Sequence, residues 1–437
     1  AVDHFPISGQ RFGRRFIEAL GVIKRSAALA NLSLDLLDEV RADAIARAAT
    51  EVAAGQWDDQ FVLDIYQTGS GTSTNMNANE VIAHRATELL EDAGVTVHPN
   101  DHVNMAQSSN DVIPTAMHVS ARIGLEREVI PALTALADAL AEKGEEFDGI
   151  IKSGRTHLMD ATPVRLGQEF EGYAHQVRRG IARIQAASEE LSELALGGTA
   201  TGTGINTHPK FARKTIDRIS DSEELAFTEA ENHFEAQGAK DAFVNAHGAL
   251  NTVAVSLMKI ADDVRWLGSG PTSGIHEISL PAVQPGSSIM PGKVNPVMSE
   301  ALMMAAARVM GNHTTITIGG SRGNFELNVM MPVMAHAFLE SVTLISKAAT
   351  AFRDRCVVGI QVNEDRARDL LERNPSIATA LNPFIGYDKA SEVAKRAAKE
   401  GRSVREVMEE MGTLSEEQLD EALDVRSMTE PGLPEKA

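Results

Sequence analysis

Between residues 164 and 195 the side chains of Tyr173, Val177, Ile181, Ile184, Leu191 and Leu194 recur at spacings of 3, 4 and 7, which places them on one face of a long helix. The stretch 238–267 behaves similarly and runs from Gly238 to Gly268 without an internal proline. Segments 111–147, 296–318 and 329–355 also support helices. Helices of this length gathered in one part of a chain predict an elongated bundle. On either side the pattern shortens. Residues 1–107 read as short helices broken by loops rich in Gly, Asn, Thr and Ser, the densest being Gly69-Ser70-Gly71-Thr72-Ser73-Thr74-Asn75. Beyond residue 362 short amphipathic helices return, with a turn at Asn382-Pro383 and Gly386 and a frayed end over 431–437. The expectation is a mainly all-α chain in three parts: a mixed helical domain over 1–107, a central long-helix bundle over 108–361, and a small C-terminal helical domain over 362–437.

Composition narrows this further. Of the 437 residues 43% are hydrophobic and only 4% aromatic, a mixture that favours helices packed through aliphatic stripes over a β-sandwich. The single cysteine, Cys356, excludes an intrachain disulfide and any Cys-based zinc or iron–sulfur centre, and it reads as a small buried hydrophobe. No apolar run reaches the roughly 18 residues a membrane span needs and no signal peptide opens the chain, so a cytoplasmic protein is expected. The net charge of −20 argues against nucleic acid and anionic membranes as partners. It would also repel an anionic substrate, which therefore requires a locally positive pocket. Among the basic residues 13 are Lys and 28 are Arg, a balance that fits a salt-adapted host, although GC-rich coding gives the same arginine bias. Screening relieves the self-repulsion of so acidic a surface. The melting temperature is therefore expected to rise between low and about molar salt, where the Debye length is roughly 3 Å. A flat or falling melting temperature over that range would remove the idea of salt adaptation.

The chemistry sits where helices are about to begin. In Gly286-Ser287-Ser288-Ile289-Met290-Pro291-Gly292-Lys293-Val294-Asn295-Pro296, glycines and prolines flank two serines and a lysine, and Asn295-Pro296 reads as an N-cap followed by proline in the first helical position. Thr162-Pro163 repeats that cap-then-proline pattern after Gly154-Arg155-Thr156-His157. Ser108-Ser109-Asn110-Asp111 precedes another helix, and Ser70-Gly71-Thr72 lies before one starting near Asn75. Each of these taken singly is ordinary helix punctuation. Together they offer hydroxyls, amides and free backbone N–H groups at four positive helix ends, the chemistry for gripping carboxylates. Met303, Met304 and Met310 beside the last loop read as core packing.

The eleven residues Gly286 to Pro296 resemble the signature loop of the fumarase/aspartase superfamily. Blocks similar to those of fumarases recur in order from about residue 4 to about residue 420. They are Gln67 to Asn77, His98-Pro99-Asn100-Asp101, Gln107 to Asp111, Gly154 to Leu158 with Asp160 to Pro163, Gly197 to Ala200 with Gly202-Thr203-Gly204, Cys356 to Ile360, and Thr379 to Lys389. His157, Ser108-Ser109-Asn110 and Val112-Ile113-Pro114-Thr115-Ala116-Met117-His118 resemble class II fumarases more than aspartases. Two departures stand out. The family usually carries a further N-terminal segment before the region of Phe5-Pro6-Ile7, so this chain reads as starting after it. Some members also have an arginine three positions before the His-Pro-Asn-Asp block, where this chain has Val95.

The resemblance implies a three-domain fumarase/aspartase-like fold whose helix bundle is shared in a homotetramer with composite active sites. It implies hydration of fumarate to L-malate, a tricarboxylic acid cycle step, with no metal and no cofactor. The alternatives are aspartate ammonia-lyase chemistry or a non-catalytic helical scaffold. On the same resemblance Ser287 is the carbon base and His157 handles the proton on the oxygen side, with Glu300 as its partner. Lys293 and Asn295 would bind the carboxylate that takes up charge. Ser70, Gly71, Thr72, Ser108, Ser109, Asn110, Thr156 and Ser288 would hold the substrate, and His98, Pro99, Asn100 and Asp101 would form an accessory dicarboxylate site.

Overall fold

A computed structural model describes residues 1–433; part of the frayed end, 434–437, lies outside the described residues. Helices dominate the chain, and the long ones form where the apolar period runs unbroken. The expected segments appear as Leu166–Glu190, Asp241–Leu267, Val297–Gly320 and Met331–Arg355. The 111–147 segment is realised as Ser109–Gly124 and Ile130–Glu146, joined by a π-helical turn at Leu125–Val129. On the Leu166–Glu190 helix Tyr173, Val177 and Ile184 are buried, as their spacing requires.

Among the described residues strands occur in four two-stranded pieces, and the longest pairs Ile151–Thr156 antiparallel with Met159–Arg165. This corrects the reading of Thr162-Pro163 as a helix start. Pro163 faces Ser153 inside the hairpin, where a two-stranded edge tolerates its missing N–H. The helix begins at Leu166, and Gln168 Oε1 accepts the Arg165 N–H at 3.0 Å in place of the expected threonine cap. A second correction is smaller. Helix Val297–Gly320 starts after Pro296, and the Asn295 amide donates to the Gly286 carbonyl across the loop instead of capping.

The chain divides into two compact units, and the dividing points fall inside long helices. Unit 1 comprises residues 1–133, 179–257 and 304–348; unit 2 comprises 134–178, 258–303 and 349–437. In unit 1 helix Arg14–Leu32 packs on Glu39–Ala53, Ser109–Gly124 and Phe211–Glu223 through Phe16, Leu20, Ile23 and Ala27. Each fully buried Leu, Ile or Phe side chain contributes about 1.5–3 kcal/mol relative to exposure. Phe243, Phe338 and His247 form an aromatic cluster in the same unit. In unit 2 the short C-terminal helices Tyr387–Glu400, Val404–Met411 and Glu416–Ala422 close on Leu381, Val393, Val407, Met408 and Leu419. Cys356 is buried as expected, and desolvation pushes its thiol up to about 12, which keeps it unreactive. Of the three methionines read as core packing, Met303 and Met310 are half-buried and Met304 is 69% exposed in the single chain.

Candidate active site

In unit 1 three of the motif loops meet. Gly71 adopts φ +70° immediately before helix Thr72–Glu88, a left-handed turn that glycine takes without the Cβ penalty. Gln67 Oε1 accepts from Thr74 N at 3.1 Å and from Thr74 Oγ1 at 2.9 Å, which satisfies a donor of the first turn. Ser70 Oγ and Thr72 Oγ1 are 2.8 Å apart, and Thr72 Oγ1 is 2.8 Å from Ser109 Oγ. A chain of hydroxyls therefore joins the N-termini of two helices. Ser108 caps helix Ser109–Gly124 through a capping box with Asp111, whose Oδ1 accepts the Ser108 N–H at 2.9 Å. The other Asp111 oxygen accepts from Gly197 N and Thr199 N, both at 3.0 Å, and Asn110 Nδ2 donates to Ala200 O at 2.8 Å. Burial pushes the Asp111 carboxyl up, while the Ser108, Gly197 and Thr199 N–H groups oppose that shift. The arrangement gathers hydroxyls, an amide and the positive ends of two helices, and it can receive a carboxylate.

His98, Pro99, Asn100 and Asp101 open a π-helical turn, Pro99–Val103, elsewhere in unit 1. His98 Nδ1 accepts the Asp101 N–H at 3.1 Å, so this imidazole is engaged in capping its own turn.

In unit 2 Thr156 and His157 stand on the hairpin. His157 and Leu158 both have positive φ, +57° and +60°, as a two-residue type I′ turn demands, and both are exposed. Side chains of other types than Gly or Asn pay strain for that conformation. The hairpin root holds them there. Arg155 makes a bidentate pair with Glu277, at 2.9 and 2.8 Å, and Lys152 reaches Glu169 at 2.9 Å and Glu277 at 3.3 Å. Glu277 and Lys152 are both fully buried. Removing one partner of such a group leaves uncompensated charge in a low dielectric. Glu277→Ala is therefore expected to lose about 3–5 kcal/mol of unfolding free energy in denaturant titrations. A loss under about 1 kcal/mol would show that the network does not hold the hairpin.

The signature loop folds back on itself. A Cβ on Gly286 would lie 1.8 Å from the Lys293 carbonyl oxygen, so only glycine allows the two ends to approach. Ser287 is half-buried, and its Oγ accepts the N–H groups of Ile289 at 3.2 Å and Met290 at 2.9 Å. Ser287 and Lys293 both line a depression bounded by Gln284, Gly286 and Met290. Ser288 and Lys293 are exposed, and so is Glu300 in the first turn of Val297–Gly320. Among the described residues no hydrogen bond or ion pair joins His157 to Ser287, Lys293 or Glu300. No group of three or more His, Cys, Asp or Glu could hold a metal ion, again among the described residues. No helix there is long and apolar enough to cross a membrane.

The sequence pointed to the loops but missed what braces them: Gln67, the double use of Asp111, and the Lys152–Glu169–Glu277–Arg155 network. Asp111 had a signal, since an acid three residues after Ser108 marks a capping box. Arg155 and Glu277 had none, because pairing across 122 residues leaves no local pattern.

A lyase family model matches residues 4–311, and a model of the fumarase C C-terminus matches 377–430. The chain is 57% identical to the class II fumarate hydratase of Halobacterium salinarum, over 99% of this chain and 93% of that one. It is 51% identical to the class II fumarate hydratase of Nitrosomonas europaea, over 98% and 94% respectively. The crystal structure of recombinant class II fumarase from Schistosoma mansoni superposes with a TM-score of 0.95 at 38% identity, covering 98% of this chain and 94% of that one.

Proposed function

The chain belongs to the class II fumarate hydratase family, and from that premise we propose that it interconverts fumarate and L-malate with Ser287 as the carbon base. The two N–H groups aimed at Ser287 Oγ carry this reading. A serine is a poor base unless its alkoxide is stabilised, and preorganised backbone donors aimed at its oxygen do that. Each such donor typically contributes about 3–4 kcal/mol to a transition state. In the dehydration direction Ser287 takes the proton from the carbon beside a carboxylate. The resulting negative charge spreads over that carboxylate as an aci-form, held by Lys293 and Asn295. The hydroxyl on the neighbouring carbon leaves as water, with its proton supplied from the His157 side. Glu300 pairs with that histidine and orients it for the transfer. Thr72, Ser108, Ser109, Asn110 and Thr156 grip the substrate, with Ser70, Gly71 and Ser288 beside them. His98, Asn100 and Asp101 supply the accessory dicarboxylate site, and the enzyme works in the cytosol.

The exposure of His157, Lys293 and Glu300 in a single chain supports a composite site. Proton transfer needs these groups within hydrogen-bond reach of one substrate. A homotetramer in which three copies contribute to each site satisfies that need. Formation of fumarate from L-malate, followed by its ultraviolet absorbance, tests the function directly. Turnover of L-aspartate in place of malate would establish the ammonia-lyase alternative, and no turnover of either would leave a scaffold.

A further inference from the structure

Lys24 lies on helix Arg14–Leu32 and is fully buried, although no motif contains it. Its ammonium donates to Asn104 Oδ1 at 3.0 Å and Gln107 Oε1 at 2.9 Å. Two neutral amides are modest compensation for taking a cation out of water. Their orientation is the consequence. With both oxygens turned to Lys24, the amide nitrogens face the backbone: Asn104 Nδ2 donates to Gln107 O, and Gln107 Nε2 donates to Val103 O and Met105 O, all at 3.1 Å. Asn31 Nδ2 adds a bond to Met105 O at 3.2 Å. The carbonyls of 103, 105 and 107 are thus fixed directly before Ser108. Asn75 Nδ2, one turn into the helix that starts at Thr72, donates to Asn104 Oδ1 at 3.2 Å. The lysine network therefore touches both segments that carry the hydroxyl chain.

We propose that Lys24 is a positioning residue for the dicarboxylate: it fixes the 103–107 turn that presents Ser108, Ser109 and Asn110, and it puts a buried positive charge behind the hydroxyls that receive a carboxylate. This rests on the reading of those three residues as substrate-binding. The charged group facing Lys24 is Asp111, from helix Ser109–Gly124; Asn75 from helix Thr72–Glu88 and Asn104 and Gln107 from the turn present amides. Burial pushes the ammonium down to about 7, and Asp111 opposes that shift. A protonated Lys24 favours a dianion, so affinity is fully present below about pH 6 and falls as pH rises through 7. In a protein of net charge −20, such a cation under the site offsets the general repulsion of the substrate.

The test is calorimetric titration with succinate, a dicarboxylate that cannot be hydrated, in the His157→Asn background, which takes the residue assigned to proton transfer out of the comparison. The succinate Kd is expected to rise roughly tenfold between pH 6 and 9, the size of a unit charge removed near a surface site. Adding Lys24→Met should raise Kd roughly tenfold at pH 6 and abolish the alkaline rise. In the otherwise native enzyme Lys24→Met should raise KM by a similar factor with kcat within about twofold, a split that general loosening of the fold would not give. Lys24→Arg should restore the pH 6 affinity without the alkaline rise. If Lys24→Met fails to fold, Lys24→Arg decides: an alkaline rise in Kd that persists in that variant overturns the proposal. A Kd flat from pH 6 to 9, or unchanged by Lys24→Met at pH 6, overturns the proposal. Because succinate binding needs no turnover, these outcomes are distinct from a failure to hydrate fumarate, which would overturn the function itself.

Discussion

Ser287→Ala and His157→Asn are each expected to lower kcat on L-malate by about 10²–10⁴-fold while KM stays within a few-fold. A group that accepts or supplies a proton acts in the transition state, so its loss falls on kcat and not on substrate binding. For Ser287 the structure adds a reason beyond proton affinity. Its Oγ is the acceptor for Ile289 N and Met290 N, and alanine leaves both N–H groups aimed at empty space. For His157 the asparagine keeps polarity and tolerates the positive φ of +57° at the hairpin turn, so the loop conformation survives the substitution. Either variant retaining near-native kcat would withdraw the role assigned to that residue. A rise in KM at unchanged kcat would instead mark the residue as a substrate grip.

Mixing the two inactive variants is expected to restore about one quarter of the wild-type sites when tetramers dissociate and reassort at equal ratio. His157 and Ser287 come from different copies in the proposed assembly. A site then receives an intact histidine half the time and, independently, an intact serine half the time. If both residues of a site came from one chain, every site would carry one lesion and no activity could return. Reassortment must be shown separately, for instance with mass-tagged subunits. Scrambled tetramers without recovered turnover would refute the shared site, while leaving the chemistry of each residue intact.

Much of the architecture was legible because helices announce themselves locally. The 4 and 7 spacing of Tyr173, Val177, Ile184 and Leu191 needs nothing outside its own segment to demand a buried stripe. Ser108 with Asp111 three residues later likewise carries its capping box in sequence, and Ser108 caps where expected. Thr162-Pro163 shows where this logic fails. Cap-then-proline is a preference of the isolated segment, and the pairing of Pro163 with Ser153 in the hairpin overrode it. The candidate site was legible as a set of loops, since glycine, serine and asparagine before helices mark exposed donors whatever the fold.

The sequence by itself determined the helical class, the candidate loops and the family, because propensity, capping and motif chemistry act over a few residues. Only the tertiary structure decided which loops touch. Thr72 and Ser109 share a hydroxyl contact across 37 residues, and Arg155 finds Glu277 across 122. It also decided that Lys24, unremarked in an apolar helix, is fully buried against the amides of Asn104 and Gln107, just before Ser108. The physical reason is that burial and Coulomb energy depend on distance through space. Helices long enough to separate residues in sequence bring their ends together in three dimensions, and no local pattern records the partner.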